Sequence, residues 1–166
     1  MGAIFLCGFM GCGKSTVGRQ LAKLTGRGFV DLDEYIEQKE LMSIPEIFEK
    51  KGEGYFRELE TAALNYLAGK ESVVATGGGA LLSEKNAAIA RANGMTVFID
   101  TPFEICYDRI KNDEHRPIAA SSTREQLLAR FEDRYPKYKA HSDILTDGCK
   151  EPLQIAKDIA EQIKKL

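Results

Sequence analysis

The run Gly8-Phe9-Met10-Gly11-Cys12-Gly13-Lys14-Ser15-Thr16 holds the residue types that a bound phosphate needs. Backbone N–H groups must turn inward around the anion's oxygens, in conformations that a Cβ obstructs, and Gly8, Gly11 and Gly13 permit this. Lys14 supplies a compact positive charge and Ser15 a hydroxyl able to ligate Mg²⁺, while a helix opening here points its positive end at the same anion. The pattern is GxxxxGK[ST], a P-loop; a glycine-rich surface turn is the bland alternative. Cys12 lies where a thiol becomes reactive if exposed, but a small residue tolerated in the loop is the plainer reading.

Carboxylates come next. Phe29-Val30-Asp31-Leu32-Asp33 ends in two acids two residues apart. On a strand beside the P-loop strand, alternation puts both on one side, Asp31 for a metal shell and Asp33 for a substrate hydroxyl. An equal alternative is that they merely begin a helix, whose first turn favours carboxylates. Met95-Thr96-Val97-Phe98-Ile99-Asp100 also ends in an acid, in the manner of a Walker B strand, so Asp100 competes with Asp31 for the metal. Arg57 and Glu60, three apart, suit a clamp for a carboxylate in which Glu60 orients the guanidinium; alone, an ordinary surface pair is the plainer reading. Gly77-Gly78-Gly79 follows another apolar run and lets a ligand approach backbone directly, or serves only as a flexible connection. For Arg116 and Arg134 the default is a solvated charge, and His115 reads as a polar lid residue.

The elements that must position these groups can be traced along the chain. Ala3 to Cys7 is apolar throughout, as in a strand buried on both faces, and Val17, Leu21 and Leu24 stripe the helix that Gly26 ends. Asp33 to Lys39 is helical, and Ser43-Ile44-Pro45-Glu46 has the form of a capping box for a helix that Gly52 stops. A further helix starts near Glu53, burying Phe56, Leu59, Ala63 and Leu67. Ser72 to Thr76 is a third strand, with a helix from about Ser83. Thr101-Pro102-Phe103-Glu104 opens a helix with Thr101 as cap and Arg109 near its end. Lys111 to Ser122 lacks helical periodicity and reads as a mobile lid. A long helix from Thr123 to Ala140 carries Arg130 and Arg134 on one side, with Pro136 expected to disturb it. Asp143 to Thr146 is a fifth strand, and Pro152 begins a terminal helix through Ile155, Ile159 and Ile163. Strands alternating with helices give an α/β fold: a five-stranded parallel sheet flanked by helices on both faces.

With 166 residues, the chain suits a single domain, 1–166. A net charge of −2 leaves no broad basic footprint for nucleic acid or an anionic membrane. No leader pattern or long apolar run is present, so a cytoplasmic location is expected. Four scattered cysteines and two histidines lack the spacing of a zinc site or disulfide framework.

Together, Gly8 to Thr16, Phe29 to Asp33, Ile36-Glu37, Ser43 to Phe48, Gly52-Glu53, Phe56-Arg57, Glu60, Gly77 to Gly79, Arg116-Pro117 and Arg134 resemble the shikimate kinases, in the right order over nearly the whole chain. The resemblance implies a P-loop, nucleoside-monophosphate-kinase-like three-layer fold, with substrate-binding helices at about 33–61 and a lid at about 111–122. It implies an ATP- and Mg²⁺-dependent phosphorylation of the 3-hydroxyl of shikimate, on the way to aromatic amino acids, by a monomer. Carried over, Gly11, Cys12, Gly13, Lys14, Ser15 and Thr16 hold the ATP phosphates, and Ser15 and Asp31 the Mg²⁺. Asp33, Arg57, Gly78, Gly79 and Arg134 bind the acid; Lys14, Asp33 and Arg116 are catalytic; Arg109, Arg116 and Lys150 lie along the nucleotide. Arg116-Pro117-Ile118 stands where Arg-Pro-Leu is more usual, and Lys137 interrupts an expected apolar position before Tyr138. The runner-up is another small-metabolite P-loop kinase, such as a gluconate kinase.

Overall fold

The computed structural model describes residues 2–111, 113, 119 and 121–166. The proposed lid and its Arg116, together with His115, lie largely outside the described residues. Five strands, β1 (Ile4–Cys7), β2 (Gly28–Asp31), β3 (Ser72–Ala75), β4 (Met95–Asp100) and β5 (Ile144–Asp147), pair in parallel in the order β2-β3-β1-β4-β5. β1 sits centrally, Phe5 aligned with Val74 on one side and Thr96 on the other. Every residue of β1 and β3 is buried, which is why their sequences are apolar rather than alternating. At the edge, β5 alternates buried Ile144 and Thr146 with exposed Leu145 and Asp147.

The helices are α1 (Lys14–Thr25), α2 (Leu32–Glu40), α3 (Ile44–Ala68), α4 (Glu84–Asn93), α5 (Phe103–Ile110), α6 (Arg124–Ala140) and α7 (Pro152–Lys164), with a 3₁₀ turn at Ala80–Leu82. α1 and α7 pack against each other, while α3 packs on α4 and α4 on β4; right-handed crossovers put these two groups on opposite faces of the sheet. The expected three-layer arrangement is therefore present. Its core runs through Phe5, Leu6, Leu21, Val73, Val97, Ile99 and Ile159. Gly26 closes α1 in the left-handed region (φ 69°), and Thr123 and Gln126 form a reciprocal capping box at the start of α6.

Four local expectations need correction. The strand through Asp33 stops at Asp31, because the Asp31 carboxylate accepts from the Glu34 amide and caps α2; Asp33 therefore lies in a first helical turn. Thr101 does not cap α5: its buried hydroxyl donates to the Cys12 carbonyl at 3.4 Å, tying β4 to the P-loop, and Pro102 takes the cap position without a side-chain bond. Leu24 leaves the buried stripe and is 46% exposed. Helix α6 continues through Pro136, held on both sides by Tyr135, whose phenol donates to Asp100, and by Tyr138, which is buried against Phe98. The expected break at Gly52 is real: the two halves of α3 meet there at φ 85°, ψ 166°, a conformation that glycine alone adopts readily.

Candidate active site

A cleft of about 300 Å³ opens at the carboxyl ends of the central strands, where ligands of open α/β sheets bind. Its floor is the P-loop. Gly11 (φ 83°) and Gly13 (φ 96°) both take left-handed conformations. A Cβ on Gly11 would also come within 2.8 Å of the Cys106 carbonyl and of Ile110, so α5 braces the loop from behind. α1 begins at Lys14 without a side-chain cap, which leaves its first-turn amides for an anion. Lys14 Nζ donates to the Gly8 and Phe9 carbonyls at 2.7 and 3.2 Å, across the loop's mouth. Cys12 is buried, in line with the packing reading.

On one wall the Ser15 hydroxyl donates to Asp31 Oδ2 at 2.8 Å. This pair offers hard oxygen donors beside the phosphate loop, the chemistry that Mg²⁺ prefers. Asp100, the competing acid, accepts instead from the Tyr135 phenol at 2.8 Å, outside the residues that line the cleft. Asp33 faces the cleft with its carboxyl pushed up to about 6, first by burial and then by the neighbouring charges of Asp31 and Glu60, against the pull of Lys14.

Next to Asp33, Gly77 and Gly78, which line the cleft, side chains from distant positions are brought together. Arg57 donates to Glu60 Oε1 at 2.7 Å and to Glu53 Oε1 at 3.3 Å. Glu60 is 1% exposed, so the pair is no ordinary surface contact. Burial pushes the Glu60 carboxyl up, and Arg57, then Arg134, pull it back. The three glycines after β3 each leave room for one charged group. A Cβ on Gly77 would lie 2.7 Å from Asp33 Oδ1, one on Gly78 3.2 Å from an Arg134 nitrogen, and one on Gly79 2.7 Å from an Arg57 nitrogen. The connection reading of the triplet is thus too weak: its bare backbone is the surface on which a carboxylate and two guanidiniums converge.

Beyond the P-loop, Arg109 donates to the Gly11 carbonyl at 2.9 Å. With Gly148, Pro152 and Lys150 it lines a second hollow on the far side of the loop. Lys150 is paired there with Asp158 at 2.8 Å. Sequence reasoning missed Tyr138, whose phenol donates to the Gly78 carbonyl at 2.5 Å; its place one helical turn after Arg134 was the available signal. It also missed Thr76, which lines the cleft and donates to the Leu6 carbonyl at 2.7 Å, fastening β3 to β1 at the site.

Residues 10–164 match the shikimate kinase family model. The shikimate kinase of a Sulfurihydrogenibium species is 41% identical over 98% of each chain, and that of Aquifex aeolicus 43% identical over 94% of this chain and 92% of the relative. Among solved structures, a shikimate kinase from Acinetobacter baumannii in complex with shikimate superposes with a TM-score of 0.92 at 38% identity, covering 99% of this chain and 94% of that one. A gluconokinase from Sinorhizobium meliloti reaches 0.60 at 18% identity over 99% and 96% of the two chains, a likeness of fold alone.

Proposed function

The chain belongs to the shikimate kinase family, and on that premise we propose how its cleft divides the work of moving the ATP γ-phosphoryl to the 3-hydroxyl of shikimate. The observation that carries the reading is the convergence of Asp33, Arg134 and Arg57 on Gly77, Gly78 and Gly79, of which Asp33, Gly77 and Gly78 line the cleft that the P-loop floors. Shikimate joins a carboxylate to vicinal hydroxyls. Arg57 and Arg134 suit the carboxylate, as charge-assisted donors with Gly78 and Gly79 beside them, and Asp33 suits the hydroxyls.

Gly11 to Thr16 hold the ATP phosphates through first-turn amides, with Lys14 exchanging its loop carbonyls for phosphate oxygens. Ser15 and Asp31 hold Mg²⁺, which when bound neutralises phosphate charge. Asp33, ionised at neutral pH, orients the attacking hydroxyl and takes its proton, while most of the rate comes from positioning and charge stabilisation. Arg109 and Lys150 flank the nucleotide beyond the P-loop. Arg116, on its resemblance, neutralises the transferring phosphoryl. Both sites sit in one domain acting as a cytoplasmic monomer; among the described residues no helix is long and apolar enough to cross a membrane.

The test is ADP formation by purified protein with ATP and Mg²⁺, comparing shikimate, gluconate, a nucleoside monophosphate and no acceptor. Shikimate-dependent ADP formation is expected, weakened about a hundredfold at subsaturating shikimate in Arg134→Ala. Turnover only with gluconate would overturn the acid pocket, and removing Mg²⁺ with a chelator should stop the reaction.

A further inference from the structure

The backbone of the glycine triplet is fixed at three carbonyls. Gly77 O accepts from the Ala80 amide and Gly79 O from the Leu82 amide, each at 3.3 Å, as ordinary bonds of the 3₁₀ turn that follows. Gly78 O accepts from a side chain instead, the Tyr138 phenol at 2.5 Å, sixty positions away. Tyr138 is 2% exposed, and its ring lies 5.4 Å from that of Phe98 on β4. The phenol therefore cannot swing out to water. In a trans peptide the next N–H points opposite to the carbonyl, so whatever holds Gly78 O also sets the direction of the Gly79 amide. Tyr138 also shares a helix face with Arg134, one turn earlier, and the Arg134 guanidinium lies against Gly78. One phenol thus locks both the peptide plane and the helix that carries the arginine.

We propose that Tyr138 is a positioning residue for the acceptor: by holding the Gly78 carbonyl it aims the Gly79 amide and Arg134 together at the carboxylate of the bound acid. This rests on the acid-pocket reading above. Without the phenol the Gly78–Gly79 peptide loses its side-chain tether among the described residues and can rotate, so acid affinity falls while the P-loop is untouched.

The experiment measures KM for shikimate, KM for ATP, kcat and melting temperature in Tyr138→Phe and, as a control, Tyr135→Phe. The control removes a phenol from the same helix, but one whose partner is Asp100, outside the cleft. Tyr138→Phe should raise the shikimate KM about tenfold with the ATP KM within about twofold, a tenfold change being about 1.4 kcal/mol. Tyr135→Phe should leave both constants near wild type even if it melts earlier. Equal rises in both KM values, or an unchanged shikimate KM, would overturn the proposal. A measurement on wild-type protein stands apart from any folding defect: the Gly79 amide resonance should shift on adding shikimate, and a resonance that stays put would also overturn it. If wild-type protein does not turn over shikimate at all, the acid-pocket reading fails first, which is a different outcome.

Discussion

The two walls of the cleft are made in different ways. The phosphate wall is a continuous stretch of nine residues in which backbone does most of the work: two left-handed glycines, an uncapped helix start and one lysine. The proposed acid wall draws on Asp33, Arg57, Glu60, Gly77 to Gly79 and Arg134, four separate parts of the chain whose long side chains meet over bare backbone. A wall of amides tolerates no Cβ because the backbone itself would have to move. A wall of side chains yields more softly, because a displaced guanidinium can give way without unfolding anything. Damage to the first should appear in stability and nucleotide binding together, and damage to the second in the acceptor alone.

The largest effect is expected at the point where the walls meet. Asp33→Asn should lower kcat by about 10²–10⁴-fold, the range for a lost acid–base group, while ATP binding measured by calorimetry stays near wild type; near-normal turnover would remove Asp33 from the chemistry. Arg134→Ala should raise the shikimate KM by about a hundredfold, from charge-assisted bonds worth about 1.5–3 kcal/mol, with the ATP KM unchanged.

A paired glycine test sharpens the contrast. Gly11→Ala meets backbone at 2.8 Å and a positive φ, so a loss of about 1–3 kcal/mol in chemical denaturation is expected, with weaker ATP binding. Gly79→Ala meets only the end of Arg57, at 2.7 Å. About a tenfold rise in shikimate KM with an unchanged melting temperature is expected there, and a melting loss equal to that of Gly11→Ala would erase the distinction.

Proton linkage at Asp33 gives a smaller signal. Its folded carboxyl sits at about 6 against an ordinary 3.8, so the native state keeps a proton that the unfolded chain releases. That contribution is fully present below about pH 4 and is lost as pH rises through about 6. Wild-type stability should therefore fall relative to Asp33→Asn across this window, by on the order of 3 kcal/mol, then run parallel above it. Urea midpoints of both proteins at pH 4, 5, 6 and 7 check the sign. The smallest effect belongs to Lys150→Ala, an exposed ion pair with Asp158, where a melting temperature close to wild type and a slight rise in ATP KM are expected.

This contrast also explains what the chain disclosed as sequence. The phosphate wall and the sheet were legible, because a local motif and unbroken apolar strands carry their own signals at short range. Arg57 with Glu60 could be noticed as a helical pair, yet its weight depended on Glu60 being buried, which spacing does not reveal. For Asp33 the strand end and the helix start were equal readings, and the structure takes the second, since the Asp31 cap that starts α2 looks the same in sequence as a strand end. Thr101 was misread for a similar reason: a hydroxyl before a helix caps it unless a tertiary acceptor, here the Cys12 carbonyl, is nearer. The Tyr138 to Gly78 bond left only the weak trace of a tyrosine one turn after Arg134, because its partners are brought together by the packing of α6 across β4.

The connection from β2 to β3 takes residues 32–71, where about a dozen residues can join neighbouring parallel strands. Into this excursion fall Asp33, Arg57 and Glu60, which belong to the acid pocket proposed above, while the P-loop belongs to a different connection. The gluconokinase that shares the fold at 18% identity indicates that the scaffold outlasts large changes in sequence. On the acid pocket proposed above, an exchange within this one excursion would alter which alcohol meets the phosphate while the strands and the P-loop stay in place.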